Sequence, residues 1–317
     1  MRVYHSLGEA AGSFGPSVVS IGNFDGVHLG HQQLLRRVRE MGARLDAKPS
    51  IITFDPHPTV VLAAEHAPKL LTTIEQRLGW MERHGVMQAL VLPFTREFSL
   101  QSPEQFVERV LRQAAGVRGV LVGENFRFGN RQMGNTALLK EMGARDGFAV
   151  EVAGGVFLHN RMVSSTEIRR QVRAGHVALA ARLLGRFYGL EGKVVQGRGV
   201  GSRQTMPTLN LDTTAEVLPA CGVYVTRTTD LGTSRRWNSV TNVGVRPTFG
   251  GDGELSIESF VLSGYEPPPP ERIRVEFLHR LREERRFADP AALKAQILKD
   301  AARAQTYLRR LAAIESE

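Results

Sequence analysis

Ser17-Val18-Val19-Ser20-Ile21-Gly22-Asn23-Phe24-Asp25-Gly26-Val27-His28-Leu29-Gly30-His31 is the stretch of the 317-residue chain from which the fold of its first half can be read. The short apolar run Ser17–Ile21, closed by a glycine, suits a strand buried on both faces of a parallel sheet. A glycine-rich turn follows and runs into a helical period over 32–41. Such a turn, at the carboxyl end of a strand and the start of a helix, offers exposed N–H groups and the positive end of a helix dipole to an anion. Gly22, Gly26 and Gly30 let the backbone approach a phosphate closely or take positive φ. His28 and His31 are three apart and fall on one face of a first helical turn, where they can donate to phosphoryl oxygens as charge develops. The same spacing also serves a metal pair or two polar cap residues. A zinc site would want a third ligand, and no Cys/His cluster offers one at recognisable spacing.

On either side of this stretch, up to about residue 184, β-branched runs alternate with helical periods. Residues 50–54, 89–92, 119–122 and 148–152 read as further strands, and 74–83, 103–113, 138–145 and 164–184 as helices, the last broken near Gly175. Ser102-Pro103-Glu104-Gln105 opens one of them with an N-cap, a proline at the first helical position and acid in the first turn. The alternation predicts a doubly wound α/β sheet with its ligand beyond the carboxyl ends of the strands. Past Arg186 the texture changes. Residues 190–196, 222–228, 237–243, 255–262 and 273–277 are strand-like and separated by Gly-, Pro- or Asp-rich turns, which predicts a small antiparallel β-barrel or sandwich. A closing helix over 290–311 would turn Leu293, Ile297, Ala301 and Leu308 inward. The division expected is a Rossmann-like domain over 1–184 and a β domain over 185–317.

Composition bounds the function. Apolar residues make up 42% and charged residues 23%, the profile of a globular protein. No apolar run reaches the roughly 18 residues of a membrane span, and the N-terminal segment lacks a secretory signal pattern. Cys221 is the single cysteine and cannot form an internal disulfide, which fits a reducing cytoplasm; ahead of Gly-Val-Tyr it reads as a small buried hydrophobe. The net charge of +9 favours anionic ligands such as nucleotides. A nucleic-acid binder would need clustered basic residues interleaved with aromatics, whereas the arginine-dense run 280–286 includes Glu283 and Glu284 and suits a solvated face.

Further segments carry chemistry. Ser164-Ser165-Thr166-Glu167-Ile168-Arg169 reads as a capping box opening a helix, with hydroxyls and a guanidinium able to grip an anion. Thr53-Phe54-Asp55-Pro56-His57-Pro58 and Gly123-Glu124-Asn125-Phe126-Arg127-Phe128-Gly129 follow the ends of expected strands; Phe54, Phe126 and Phe128 can stack on a flat ring or serve as core. In the second half, Gly197, Gly199 and Gly201 form a glycine-rich loop able to cover polyphosphate. Thr208 and Asn210, two apart on an extended segment, point the same way and can hold a hard cation such as Mg²⁺. Glu258, a lone carboxylate in a β-branched and aromatic strand, is a candidate base or an edge-strand glutamate facing water.

Taken in order, GNFDGVHLGH (22–31), TFDPHP (53–58), GENFRFG (123–129), SSTEIR (164–169), PTLN (207–210), GVY (222–224), SVTNVGVRPTF (239–249), the Glu258 strand and VEFLHRLREERRF (275–287) resemble the bacterial bifunctional riboflavin kinase/FMN adenylyltransferases. The resemblance runs from about residue 17 to 311. It implies that ATP–Mg²⁺ phosphorylates riboflavin in the barrel, with Glu258 as base and Thr208 and Asn210 on the metal, and that a second ATP adenylylates FMN to FAD in the first domain. There His28, His31, Asn125 and Arg169 would be catalytic. Gly22, Asn23, Phe24, Asp25, Gly26, Gly30, Ser164, Ser165 and Thr166 would bind ATP, as would Gly197, Gly199 and Gly201 in the barrel. Phe54, Asp55, Pro58, Phe126, Phe128 and Arg246 would bind flavin. The partners implied are small molecules, with neither nucleic acid nor membrane. Two loops depart from the family pattern. Val200-Gly201-Ser202 and Gln204-Thr205-Met206 replace its usual flap, and Ser263-Gly264-Tyr265-Glu266 with four prolines replaces its usual turn after the Glu258 strand. An adenylyltransferase of single activity with the barrel as a flavin-binding appendage is the alternative.

Overall fold

A computed structural model describes residues 1–196, 207–248, 251–285 and 287–315, which form two compact units, Met1–Ser165 and Thr166–Glu317. In the first, strands β1 (Arg2–Tyr4), β2 (Ser17–Ile21), β3 (Lys48–Asp55), β4 (Gln88–Pro93), β5 (Val117–Gly123) and β6 (Ala149–Ala153) form one sheet in the order β1-β4-β3-β2-β5-β6. Every neighbouring pair is parallel. The five residues of β2 are all buried because its side chains feed two cores. Val19 and Ile21 pack with Val120, Val122, Phe106 and Leu111 on one face, and Val18 packs with Leu121, Val38 and Met41 on the other. From β2 the chain winds outward through β3 and β4, then returns to β5 and β6 on the other side. The switch of direction, and hence the expected ligand crevice, lies between the carboxyl ends of β2 and β5.

Several short elements of this unit escape the sequence pattern, among them the one-turn helices Leu7–Ala10, Pro58–Leu62 and Arg96–Ser99. The edge strand β1 spans three residues, and the hairpin of β7 (Phe157–Leu158) and β8 (Arg161–Met162) has two residues a side, too short for any period to register. Helix Leu29–Arg44 starts three residues earlier than its apolar spacing, because His28 caps it.

In the second unit, β9 (Tyr188–Val195), β10 (Thr208–Asp212), β11 (Gly222–Asp230), β12 (Arg236–Thr248), β13 (Gly251–Val261) and β14 (Arg272–Arg282) close into an antiparallel barrel in the order β10-β13-β12-β11-β14-β9. The interior is partly polar. Thr226, Thr228, Ser239, Thr241 and Ser259 are wholly buried and bond one another at 2.6–3.1 Å, so each hydroxyl is satisfied inside the barrel. Gly192 is where β9 passes close to β10: a Cβ there would lie 1.8 Å from the Asp212 carbonyl oxygen. Helix Val177–Leu184 precedes the barrel, and Gly175, at φ +76°, breaks it from the helix before, as the sequence pattern predicts.

The closing helix Pro290–Glu315 packs Ala304 and Leu308 on Val223, Val225, Val240 and Leu278. Three expectations are corrected here. Leu293 stays 41% exposed, since the helix docks through its later turns. Cys221 is exposed, one residue short of the barrel strand that would have buried it. The basic run is not a simple solvated face: Arg282 pairs at 2.8 Å with Asp300, which is 2% exposed on the closing helix.

Candidate functional sites

The loops after β3, β2 and β5 are neighbours at the carboxyl edge of one parallel sheet, so topology alone assembles three of the sequence motifs. The loop after β2 is tightly wound: Phe24 (φ 51°), Gly26 (φ 79°) and Val27 (φ 39°) all take the left-handed region. For a β-branched valine that conformation is strained, and such strain concentrates at functional sites. It is held by burial, since Val27 is 0% and Phe24 2% exposed. Buried hydrogen bonds hold it as well. The Asp25 carboxylate accepts from the Leu71 and Thr72 N–H groups at 3.0–3.1 Å and from the Thr72 hydroxyl, which itself accepts from Gly26 N–H. Asp25 thus spends its carboxylate on the fold of the loop.

Beneath the loop lies Arg77, 1% exposed. Its guanidinium donates to the Asn23 carbonyl at 2.9 Å. Burial pulls its pKa below the usual arginine range, and the charges of Asp25 and Asp55 pull in the opposite direction. On the other side, the Asn23 amide meets His57 Nε2 at 2.8 Å, which joins the loop after β2 to the loop after β3. No sequence motif marks Arg77 or Thr72, and His57 stands out only within TFDPHP.

His28 and His31 stack ring on ring, 3.7 Å between centroids and 17° apart, with the Phe24 ring edge-on to His31 at 5.2 Å. His28 is also the helix cap, its Nδ1 accepting from His31 N–H at 3.4 Å. That leaves Nε2 as the protonated nitrogen of the neutral ring. Gly30 makes room for the stack: a Cβ there would stand 3.2 Å from His28 Cε1 and Nδ1. Among the described residues no group of three or more His, Cys, Asp or Glu is arranged to hold a metal. Ser165 is drawn to the same loop, its hydroxyl donating to the Asp25 carbonyl at 2.9 Å. Ser164 and Arg169 are half-buried and Thr166 is exposed.

An aromatic chain lines the opposite side of the sheet edge. Phe54 contacts Phe94 and Phe98, Phe98 contacts Phe106, Phe106 contacts Phe128, and Phe128 stacks on Phe126 at 5.5 Å. Phe128 is 6% exposed and its ring lies against Gly134, where a Cβ would come within 2.7 Å, so it backs Phe126 instead of presenting a face. Phe54, Phe126 and Pro58 are half-buried, and Asp55 and Asn125 are exposed. Phe94 and Phe98 join the chain from segments that carry no motif.

In the barrel, Thr208 and Asn210 leave the same face of β10, and both are half-buried. Asn210 is paired across the strands with Glu258, and Glu258 in turn with Asn242, so three polar side chains form one row over β10, β13 and β12. Ser256 donates to Glu258 Oε1 at 3.1 Å. Opposite Ser256 stands Gly244, over whose bare backbone lies the Glu284 carboxylate. Glu258 is therefore half-buried within a polar row and not simply turned to water. The oxygen donors of Thr208 and Asn210, a hydroxyl and an amide carbonyl, match a hard cation. Gly197, Gly199 and Gly201, with the variant flap, lie outside the described residues, as does the side chain of Arg246, whose backbone belongs to β12.

Comparison with known proteins bears on both units. The family model for FAD synthetase matches residues 12–167, and that for riboflavin kinase matches 184–308. A bifunctional riboflavin kinase/FMN adenylyltransferase of Pseudomonas fluorescens is 37% identical, over 91% of this chain and 92% of its own. Those of Haemophilus influenzae and Escherichia coli are 32% identical, covering 97% and 95% of this chain. A crystal structure described as a macrolide-efflux protein from Streptococcus pneumoniae shares the fold at a TM-score of 0.86 and 25% identity, over 96% of this chain and 98% of that one. Among the described residues of the present chain, no helix is long and apolar enough to cross a membrane. Two family models in series, and relatives matched along nearly their whole length, place the chain in the family of bifunctional riboflavin kinase/FMN adenylyltransferases.

Proposed function

We propose that this chain makes FAD from riboflavin in two ATP-dependent steps, each on its own module, with the functional division at 184/185. The observation that carries the reading is the separation of two unlike polar constellations. The stacked histidines belong to the unit Met1–Ser165, and the Thr208–Asn210–Glu258 set to the unit Thr166–Glu317.

In the barrel, the ribityl 5′-hydroxyl of riboflavin attacks the γ-phosphorus of ATP. A neutral alcohol is a poor nucleophile, and Glu258 accepts its proton. Thr208 and Asn210 would hold Mg²⁺, which when bound draws off phosphate charge. Gly197, Gly199 and Gly201 would cover the nucleotide phosphates, and Arg246 would contact the flavin.

In the first module the nucleophile is the FMN phosphate, already anionic, so no base is needed and positioning with charge stabilisation suffices. His28 Nε2–H and His31 donate to the oxygens of the α-phosphorus as charge builds. The Gly22–Gly26 loop and Gly30 give the phosphates a backbone to approach, and Ser164 and Ser165, in the same unit, hold the outer phosphates. Asn125 with Phe54, Phe126, Asp55 and Pro58 orients flavin and nucleotide, Phe128 supporting Phe126 from below. The enzyme works on small molecules in a reducing cytoplasm, with no nucleic-acid or membrane partner.

The test is incubation of the purified chain with riboflavin, ATP and MgCl₂, followed by chromatography of the flavins. FMN should appear first and FAD after it. Conversion of supplied FMN to FAD, without phosphorylation of riboflavin, would reduce the chain to a single-activity adenylyltransferase; neither product would overturn the reading.

A further inference from the structure

Ser256 precedes Glu258 by two residues on β13, so both side chains leave the same face of the strand. Glu258 carries three rotatable side-chain bonds, and a carboxylate on an outer barrel face would ordinarily sample several rotamers. Here one of its oxygens is tied: the Ser256 hydroxyl donates to Oε1 at 3.1 Å. The serine is itself only 8% exposed, so the donor side of this part-buried bond meets little water. The position directly across β12 is Gly244, over which the Glu284 carboxylate lies as a second possible acceptor, yet the Ser256 hydroxyl donates to Glu258.

We propose that Ser256 is a positioning residue for riboflavin phosphorylation. By holding Glu258 Oε1 it fixes the carboxylate plane and turns Oε2 to the acceptor hydroxyl. The inference rests on the kinase reading above and adds to it. In the step it serves, the ribityl O–H proton passes to Glu258 Oε2 as the ribityl oxygen bonds to the γ-phosphorus. The bond from that phosphorus to the bridging oxygen breaks, and ADP leaves with the electron pair. Ser256 keeps its own proton throughout and only orients the acceptor.

Losing one hydrogen bond to a charged group while the base remains present corresponds to a fall of roughly 10- to 100-fold in rate. The experiment compares the full-length parent, Ser256→Ala and Ser256→Thr, measuring kcat and KM for riboflavin phosphorylation, with FMN-to-FAD conversion followed in the same preparations. For Ser256→Ala, kcat of phosphorylation should fall about tenfold or more while both KM values stay within about twofold and FAD formation from FMN is unchanged. Ser256→Thr keeps a hydroxyl at the same place and should recover most of the lost kcat. A parental kcat in Ser256→Ala, a rise confined to KM, a threonine variant as slow as the alanine one, or equal loss of both activities would each overturn the assignment. A parent enzyme that forms no FMN from riboflavin would instead defeat the kinase reading itself.

Discussion

The side-chain amide of Asn23 and Nε2 of His57 lie 2.8 Å apart, linking the loops that follow β2 and β3. His57 also caps the short helix Pro58–Leu62, its Nδ1 accepting from Thr59 N–H at 3.2 Å. Asn23 Nδ2 is the atom that stands against Nε2, but a neutral ring that accepts at Nδ1 carries its proton on Nε2, so the amide must be flipped to bring its oxygen to His57. Nitrogen NMR of the His57 ring should find the Nε2–H tautomer near neutral pH. Asn23→Ala should slow FMN adenylylation about fivefold, the worth of one hydrogen bond of about 1 kcal/mol, and spare riboflavin phosphorylation. An Nδ1–H ring would refute the assignment.

Separate sites imply separable losses. His28→Ala removes a donor from the adenylyl-transfer site, and a loss of about 100- to 1,000-fold is expected in FAD formation, with FMN accumulating. Glu258→Ala should do the reverse: FMN formation from riboflavin falls at least 100-fold while supplied FMN is still converted to FAD. Chromatography of the flavins distinguishes the two patterns, and parallel loss of both steps in a folded variant would contradict the division.

How much of this was legible before folding depends on how local each signal is. Ser17–Ile21 matches the observed strand residue for residue, because an all-buried central strand writes its burial directly into sequence. The pairing of Asn210, Glu258 and Asn242 was not legible, although Asn210 and Glu258 were both marked: register between strands 48 residues apart is set by barrel closure. Arg77 was hidden for a related reason. In the helix Ile74–Arg83 it reads as a surface arginine, and only the arrival of Asn23, Asp25 and Asp55 above it makes it a buried support. Phe128 shows the converse, a residue whose motif was clear and whose burial was not, since Gly134 closes over it from a bridge no periodicity announces.

The two glycines with crowded surroundings should respond differently. At Gly30 an added methyl meets a ring 3.2 Å away that can shift by a few tenths of an ångström, so Gly30→Ala should fold and lose adenylylation by moving His28. At Gly192 the methyl would meet the Asp212 carbonyl at 1.8 Å, and β9 and β10 must separate. Gly192→Ala should cost several kcal/mol of barrel stability and, with it, riboflavin phosphorylation. Denaturant melts alongside both activity assays check the contrast.

Asp300 anchors the closing helix through its buried pair with Arg282, and Gln296 donates to its second oxygen at 2.7 Å. Asp300→Ala leaves the Arg282 guanidinium, 17% exposed, without its carboxylate, which corresponds to a loss of about 3 kcal/mol. The helix Pro290–Glu315 should detach first, seen as a lower-temperature transition in calorimetry; an unchanged profile would show the pair to be dispensable.

The same helix should respond to acid through His279. Its ring stacks on Tyr307 at 5.0 Å and 9°, and burial, reinforced by the charge of Arg303, holds its pKa below the ordinary histidine value. A group that binds its proton less readily when folded favours the folded state wherever the ring is neutral. Its contribution is therefore complete above the ordinary histidine pKa of about 6.5 and is lost as pH falls through the depressed folded value. Docking of Tyr307 should weaken as the pH falls below about 6.5, read as a fall in barrel melting temperature. His279→Phe, which keeps the stack and removes the titration, should flatten that dependence; a parent and variant that fall in parallel would assign the acid sensitivity to other groups.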